Sequence, residues 1–374
     1  MIKDYSKIGT MSIGIRMPII KQDDDLKNII VENTLNSIDI DDDDIICVTE
    51  SIVARSEGNY VSVDDIANDI RNKYGINATV GVLWPIYSRN RFSMILKGIA
   101  RGAKHIVLQL NHGKDEVGND MHNKFTGVYI IQYYKDIIES EGCEVSIVQS
   151  DNVSDVVNMT KGNVIVSTIH SRNDVYHKVL DYIEENPKYA NGHVYKLSDL
   201  CSCKINETIG YNEEFGLLGS NKADEERLKL FPKANTCNEL ANYIIDSIFE
   251  KTGKKINVIV YGDGCFKDPI GGIWEFADPV TCPGYGGETL TSRALPNEYK
   301  MKYFIDTYGV DEEGFKSMLK NKKDESLVGN MAAQGTTPRR YFDLLASLAD
   351  LTSGSGDKGT PVIVIKNYFK NYAS

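Results

Sequence analysis

Short runs of branched apolar residues recur along the chain and mark out its elements. Ile45-Ile-Cys-Val-Thr49, Ile106-Val-Leu-Gln-Leu110, residues 144–149, Val164-Ile-Val-Ser-Thr168, Ile256-Asn-Val-Ile-Val260 and the run from Pro361 to Ile365 are such segments. Each is too short for a helix and rich in β-branched side chains, which predicts strands. Between them, apolar positions fall at helical spacing. Leu26, Ile29, Ile30 and Leu35 follow Asp23-Asp-Asp25, whose carboxylates suit a helix N-terminus. Val63-Asp-Asp65 opens another helix running to Tyr74. Further helices are predicted over Arg91–Arg101, 127–140, 173–185, 237–251, 298–307, 311–320 and 338–350, with one more beginning at Ala223. The stretch from Trp274 to Gly287, rich in Pro and Gly, predicts a structured loop, and Ser353 to Gly359 a flexible one.

Strands and helices alternate only in the middle of the chain. No Gly-x-Gly-x-x-Gly follows the first strand, and no Gly-x-x-x-x-Gly-Lys-Ser/Thr occurs. The pattern predicts an α+β class, a mixed fold with a partly parallel sheet. At 374 residues the chain exceeds the size of a single core, so a second domain or an inserted or appended subdomain is expected.

Composition narrows the function classes. The chain is 41% hydrophobic and 25% charged, which is ordinary for a globular protein. Its net charge of -11 argues against nucleic acid or an anionic membrane as a partner. It leaves room for a nucleotide, which needs only local donors and a cation. No apolar run is long enough for a membrane-spanning helix. The acidic run from Asp39 to Asp44 lacks the oxygen spacing and turn glycine of a calcium loop and reads as a solvated turn. Seven cysteines, an odd number, without a secretory leader predict a reducing cytoplasm. Cys47 and Cys143 read as small core residues, and Cys201-Ser-Cys203 is too closely spaced for an ordinary zinc knuckle.

The chemistry concentrates at strand ends. Tyr261-Gly-Asp-Gly-Cys-Phe-Lys-Asp268 follows the strand at 256–260, with two glycines bracketing Asp263. Asn111-His-Gly-Lys-Asp115 follows the strand at 106–110. Acids at the carboxyl ends of core strands point to a metal and phosphate site, with Asp115 and Asp263 as hard oxygen ligands for magnesium or manganese. The plainer reading is two tight turns whose Asp side chains cap backbone N–H groups. Glu50 ends another buried strand and is a third candidate acid. His112 shares the Asp115 loop and is a candidate for orienting a carboxylate or holding phosphate, and Asn111 adds a polar ligand. Ser220 or Asn221 is placed to cap the helix at Ala223, whose free N–H groups would receive phosphate beside Lys222. A capped surface helix is the alternative there. Arg55, with Ser51 and Ser56, is a candidate anion site after the strand at 45–49. A nucleophile is poorly supported: no Gly-x-Ser-x-Gly elbow occurs, and Cys265 has no assigned histidine. Trp274, Phe276 and Tyr285 suit either a pocket wall or core packing.

These segments, in this order, resemble the coenzyme F420-0:L-glutamate ligase family. Ile15-Arg-Met-Pro-Ile-Ile, Asp23-Asp-Asp-Leu26 and Thr49-Glu-Ser-Ile-Val-Ala-Arg-Ser-Glu-Gly58 look like that family's opening. Asn111-x-Gly-x-Asp115 is similar to its Asn-Ala-Gly-x-Asp loop, whose acid binds a divalent cation. Val258-Ile-Val-Tyr-Gly-Asp-Gly264 is similar to its second metal loop, and Gly216 to Glu226 is loosely similar to a further segment. The resemblance implies a γ-glutamyl ligase-like fold over residues 1–280 with an insertion near 123–210, and a C-terminal α/β extension over 281–374. It implies GTP or ATP as co-substrate with Mg2+ or Mn2+, an acyl phosphate intermediate, and a homodimer. By the same resemblance Asp115 and Asp263 anchor the ions, and loop context adds Arg55 to this catalytic set. Loop context also assigns Glu50, Ser51, Asn111, His112, Ser220 and Lys222 to the nucleotide side.

The departures are informative. Tyr261-Gly-Asp-Gly stands where the family has Ser-Asp-Thr, and Gln109-Leu110 replaces a histidine-rich stretch. The expectation is therefore a cytoplasmic amide ligase joining an amino acid, L-glutamate among the candidates, to an acid that need not be F420. A metal-dependent phosphohydrolase and a non-enzymatic nucleotide-binding protein are the rival readings.

Overall fold

The computed structural model describes residues 8–84, 89–110, 127–167, 173–202, 216–218, 220–263, 266–267, 274–275, 280–292, 301–322, 340–354 and 356–370. They fall into two units, one of residues 1–56 and 234–374, the other of residues 57–233.

The first unit opens with β1 (Met11–Ile15), α1 (Leu26–Ser37), β2 (Ile45–Thr49) and α2 (Glu50–Ser56). The second unit then occupies the chain. It contains β3 (Tyr60–Ser62), α3 (Val63–Tyr74), β4 (Thr79–Leu83), α4 (Arg89–Gly102), β5 (His105–Leu110), α5 (Ile130–Ser140), β6 (Glu144–Gln149) and α6 (Val153–Thr160). It ends with β7 (Val164–Val166), α7 (Asn173–Glu185), β8 (Val194–Lys196), β9 (Ser220–Lys222) and β10 (Arg227–Leu230). The first unit resumes with α8 (Ala234–Thr252), β11 (Asn257–Asp263), β12 (Phe266–Lys267), β13 (Trp274–Glu275), β14 (Val280–Gly286) and α9 (Glu288–Ser292). It closes with α10 (Met301–Tyr308), α11 (Glu312–Lys322), α12 (Tyr341–Ser353) and β15 (Val362–Lys366).

The main sheet of the first unit has the order β1-β15-β2-β11-β14. Its one parallel pair is β2 with β11, and the other neighbours run antiparallel. Both faces are covered, which explains why its central strands are apolar throughout. Ile46, Val48, Val258, Val260, Val362 and Val364 pack with α1 and α8 on one face. Ile45, Cys47, Ile259, Tyr261, Ile363 and Ile365 pack with α12 on the other. The C-terminal residues thus complete this sheet, with β15 seated between β1 and β2.

The sequence stretch from Trp274 to Gly287 is not all loop: β14 is an edge strand paired with β11. Pro283 is tolerated there because an edge strand need not donate on both sides, and the pairing slips by one residue beside it, between Val260 and Gly262.

A buried ion pair pins the opposite end of the sheet. Lys366 Nζ lies 2.5 Å from Asp44 Oδ2 and 3.0 Å from Asp41 Oδ2, and also donates to the Asp39 carbonyl. Asp44 is 2% exposed, so the acidic run is only partly the solvated turn its composition suggests. Burial holds the Asp44 carboxyl above its ordinary range, against the pull of the Asp41 N–H and of Lys366.

The second unit carries a five-stranded parallel sheet in the order β6-β5-β4-β7-β8. Helices α3, α4 and α5 cover one face and α6 and α7 the other. The order places the first strand of the sheet at its centre and reverses direction between β4 and β7, the doubly wound arrangement. The whole chain is therefore a mixed α/β fold with a substantial parallel component. Helix α3 begins with a capping box in which Ser62, rather than the acids after it, is the cap and Asp65 answers it. A separate antiparallel sheet, β3-β10-β9, joins the start of the unit to its end. The helix expected from Ala223 is absent, because residues 220–230 form the hairpin β9–β10, with Ser220 opposite Leu230 and Lys222 opposite Leu228. Asn59, Val61, Leu228 and Leu230 are buried at this sheet, and that burial overrides local helical spacing.

Four of the cysteines, Cys47, Cys143, Cys201 and Cys237, are buried free thiols, and burial pushes the Cys143 thiol up to about 11. Among the described residues no helix is long and apolar enough to cross a membrane.

Candidate active site

The parallel pairing of β2 and β11 sets the geometry. Its register runs from Asn257 opposite Ile45 to Tyr261 opposite Thr49. The residues that follow, Glu50 on one strand and Gly262-Asp263 on the other, therefore emerge side by side at one carboxyl end. This is where parallel sheets carry their chemistry. Glu50 is also the first residue of α2, where a carboxylate is favoured by the positive end of the helix dipole.

Glu50 is 2% exposed and its side chain lies directly on Gly262. A Cβ at position 262 would stand 2.1 Å from Glu50 Cγ and 3.2 Å from its carboxyl carbon. The Glu50 side chain, by its Cγ, thus fills a slot that a side chain on β11 would otherwise occupy. The Asp263 backbone pairs with Val280 on β14, just past the register shift. Its side chain lies outside the described residues.

Ser51 is half-buried, whereas Arg55 is exposed on the last turn of α2. Five residues separate Glu50 and Arg55, which sets them roughly 140° apart around a helix. The two belong to one element but not to one face. In the second unit, Ser220 is buried and donates its hydroxyl to the Leu217 carbonyl at 2.6 Å. Lys222 pairs with Glu225 at 2.8 Å across the hairpin turn. The helix N-terminus expected beside them is replaced by that turn. Asn111, His112 and Asp115 lie outside the described residues, as do the side chains of Trp274 and Phe276. Gln109, next to last in β5, is buried and donates to the Ser150 and Asn152 carbonyls at 2.7 and 3.0 Å. Tyr285 stacks on Phe342 with centroids 4.5 Å apart, so it serves the core and not a pocket wall.

The donor chemistry at the β2–β11 end suits magnesium or manganese, which take carboxylate oxygens and keep waters and phosphate oxygens as the remaining ligands. Glu50 fits as one such donor. No group of three or more His, Cys, Asp or Glu side chains placed to hold a metal occurs among the described residues. The feature that reasoning from sequence missed is the contact between Glu50 and Gly262. The signal available for it was a glycine within a strand, which marks close approach of another group.

A family model described as F420-0:Gamma-glutamyl ligase matches residues 14–367. The chain belongs to that family of ligases. It matches no curated protein. Among solved structures it is similar to the crystal structure of the tetrameric eIF2B-beta2-delta2 complex from C. thermophilum, at 10% identity and a TM-score of 0.26. That likeness covers 36% of this chain and 42% of the other, so the chain spans less than half of that protein. A likeness of this size bears on neither fold nor activity.

Proposed function

Proceeding from family membership, we propose that this protein is a nucleotide- and metal-dependent amide ligase joining an amino acid to a carboxylic acid through an acyl phosphate. The observation that carries the reading is the convergence of buried Glu50 with Gly262-Asp263 at the carboxyl ends of two adjacent parallel strands. In this reading Glu50 and Asp263 would hold a magnesium or manganese ion, Asp115 is a separate candidate cation ligand, and GTP or ATP is the co-substrate. When bound, the cation supplies charge neutralisation for the phosphates.

The acid's carboxylate oxygen attacks the terminal phosphorus, and the bridging P–O bond to the nucleoside diphosphate breaks. The amine nitrogen then attacks the acyl carbon, the C–O bond breaks with its electron pair leaving on phosphate, and the amine proton passes to a base. Glu50 contributes a carboxylate held out of bulk water, where its interaction with charge is stronger than at the surface. Arg55 and Ser51 on α2 and Asn111 and His112 after β5 are assigned to phosphate and acceptor positioning. A homodimer and a cytoplasmic location belong to the same reading.

Calorimetric titration with GTP and ATP, with and without Mn2+, tests it. Nucleotide binding is expected to require the cation, and Glu50→Gln to weaken it by about tenfold or more, or about 1.4 kcal/mol. Nucleoside diphosphate release should require both an acid and an amine. Absence of binding by the folded protein, or equal binding by Glu50→Gln, would refute the proposal.

A further inference from the structure

We infer that Gly262 is a positioning residue: the side chain it lacks leaves the slot that holds the Glu50 side chain at the carboxyl end of β2 and β11. The inference deepens the ligase reading and takes its binding readout from it. Its structural part stands independently.

Two explanations exist for a glycine in a core strand, conformational need and close approach. Gly262 is not among the glycines with a left-handed backbone, so an alanine would meet no conformational obstacle there. What it would meet is Glu50, with Cγ at 2.1 Å and both Cβ and the carboxyl carbon at 3.2 Å. Contacts this close involve the near part of the Glu50 side chain. Its tip swinging away would not relieve them. Position 262 alternates with Val258 and Val260, whose side chains pack on the face shared with α1, α8 and Val53 of α2. Glu50 therefore stands in for the residue that would continue this apolar row, and places a carboxylate at its end. The pair Glu50–Gly262 thus fixes where that carboxylate emerges, at the carboxyl ends of β2 and β11.

The test is a double-mutant cycle on the full chain with Gly262→Ala, Glu50→Ala and the combination, read by thermal melting and by Mn2+-dependent nucleotide titration. Gly262→Ala alone is expected to lower the melting temperature and weaken binding about tenfold. In the Glu50→Ala background the same change should leave both readouts nearly unmoved, because Cγ, the atom in hard contact, is gone. Glu50→Asp, which keeps the charge one carbon short, should melt like the parent yet bind about tenfold more weakly. That variant decides the question if Gly262→Ala does not fold. Additive effects in the two backgrounds, parent-like binding by Gly262→Ala, or parent-like binding by Glu50→Asp would overturn the inference. If the parent itself binds no nucleotide, the ligase reading fails. The melting cycle then rules on the slot alone: coupling upholds it, and additivity overturns it.

Discussion

Replacing Lys366 with Met isolates the buried ion pair that pins β15 to the start of β2. Met keeps most of the aliphatic stem and deletes the ammonium group. The deletion strands Asp44, which is 2% exposed and has Lys366 Nζ at 2.5 Å, whereas Asp41 on the other side is 62% exposed and can turn to water. Removing one partner of a buried pair costs about 3–5 kcal/mol. The opening to solvent through Asp41 places the expected loss near the low end, at about 3 kcal/mol. For a folding unit of this size that corresponds to a drop in melting temperature of about 6–12 °C. The pH dependence carries a sign. Burial already holds the Asp44 carboxyl above its ordinary range in the fold, so its ionised form opposes folding. That penalty is absent below the unfolded-state value, grows as pH rises from there to the folded-state value, and is complete above it. Without Lys366 the value rises further. The Lys366→Met deficit should therefore be largest at neutral pH and shrink on acidification, as Asp44 takes up its proton. Thermal melts of both proteins across that range, with Asp44→Asn/Lys366→Met as a neutralised control, make the measurement. A deficit that is small at neutral pH, or that does not shrink on acidification, would refute the reasoning. So would a control that melts no higher than the single variant.

Two further predictions concern the second unit. Gly81→Ala in β4 would put a Cβ 2.4 Å from Val156 Cγ1 on α6, so it should destabilise by about 1–3 kcal/mol, with relief in a Val156→Ala background, as chemical denaturation would show. Glu226 is held at about 2 by Arg101 and Lys97, in a cluster where Arg101 also grips Glu141 at 2.7 Å. A depressed folded value means that this stabilisation is present above the ordinary carboxylate range and is lost as pH falls towards about 2. The Glu226 side chain is 52% exposed, so Glu226→Gln should cost no more than about 1 kcal/mol at neutral pH and nothing measurable in about 1 M salt. A loss that persists in high salt would refute the electrostatic account.

The structure shows which parts of the fold a linear pattern can carry. Strands β2, β11 and β15 were legible because each buries both faces, leaving an unbroken apolar run whose alternate members serve different cores. The edge strand β14 was not, since Thr281-Cys-Pro-Gly-Tyr-Gly286 owes its conformation to pairing with β11 and not to its own composition. The hairpin β9–β10 was lost for a similar reason: Ser220-Asn-Lys222 has no apolar alternation, and Tyr60 to Ser62, which pair with β10, lie far away in the chain. Likewise nothing local connects Lys366 with Asp44, 322 positions apart.

The candidate site divides along the same line. That Asp263 follows a core strand and Glu50 ends another could be read directly, because strand ends are local features. That those two strands are neighbours, parallel and in register could not, because it is a property of the sheet. Gly262 makes the difference concrete. In the sequence it is one of two glycines around an acid, and the natural inference is a turn that needs unusual backbone angles. In the fold its backbone is ordinary, and what the missing Cβ provides is room for Glu50. The glycine at residue 262 and the buried glutamate at residue 50 are thus one steric arrangement shared by two adjacent elements.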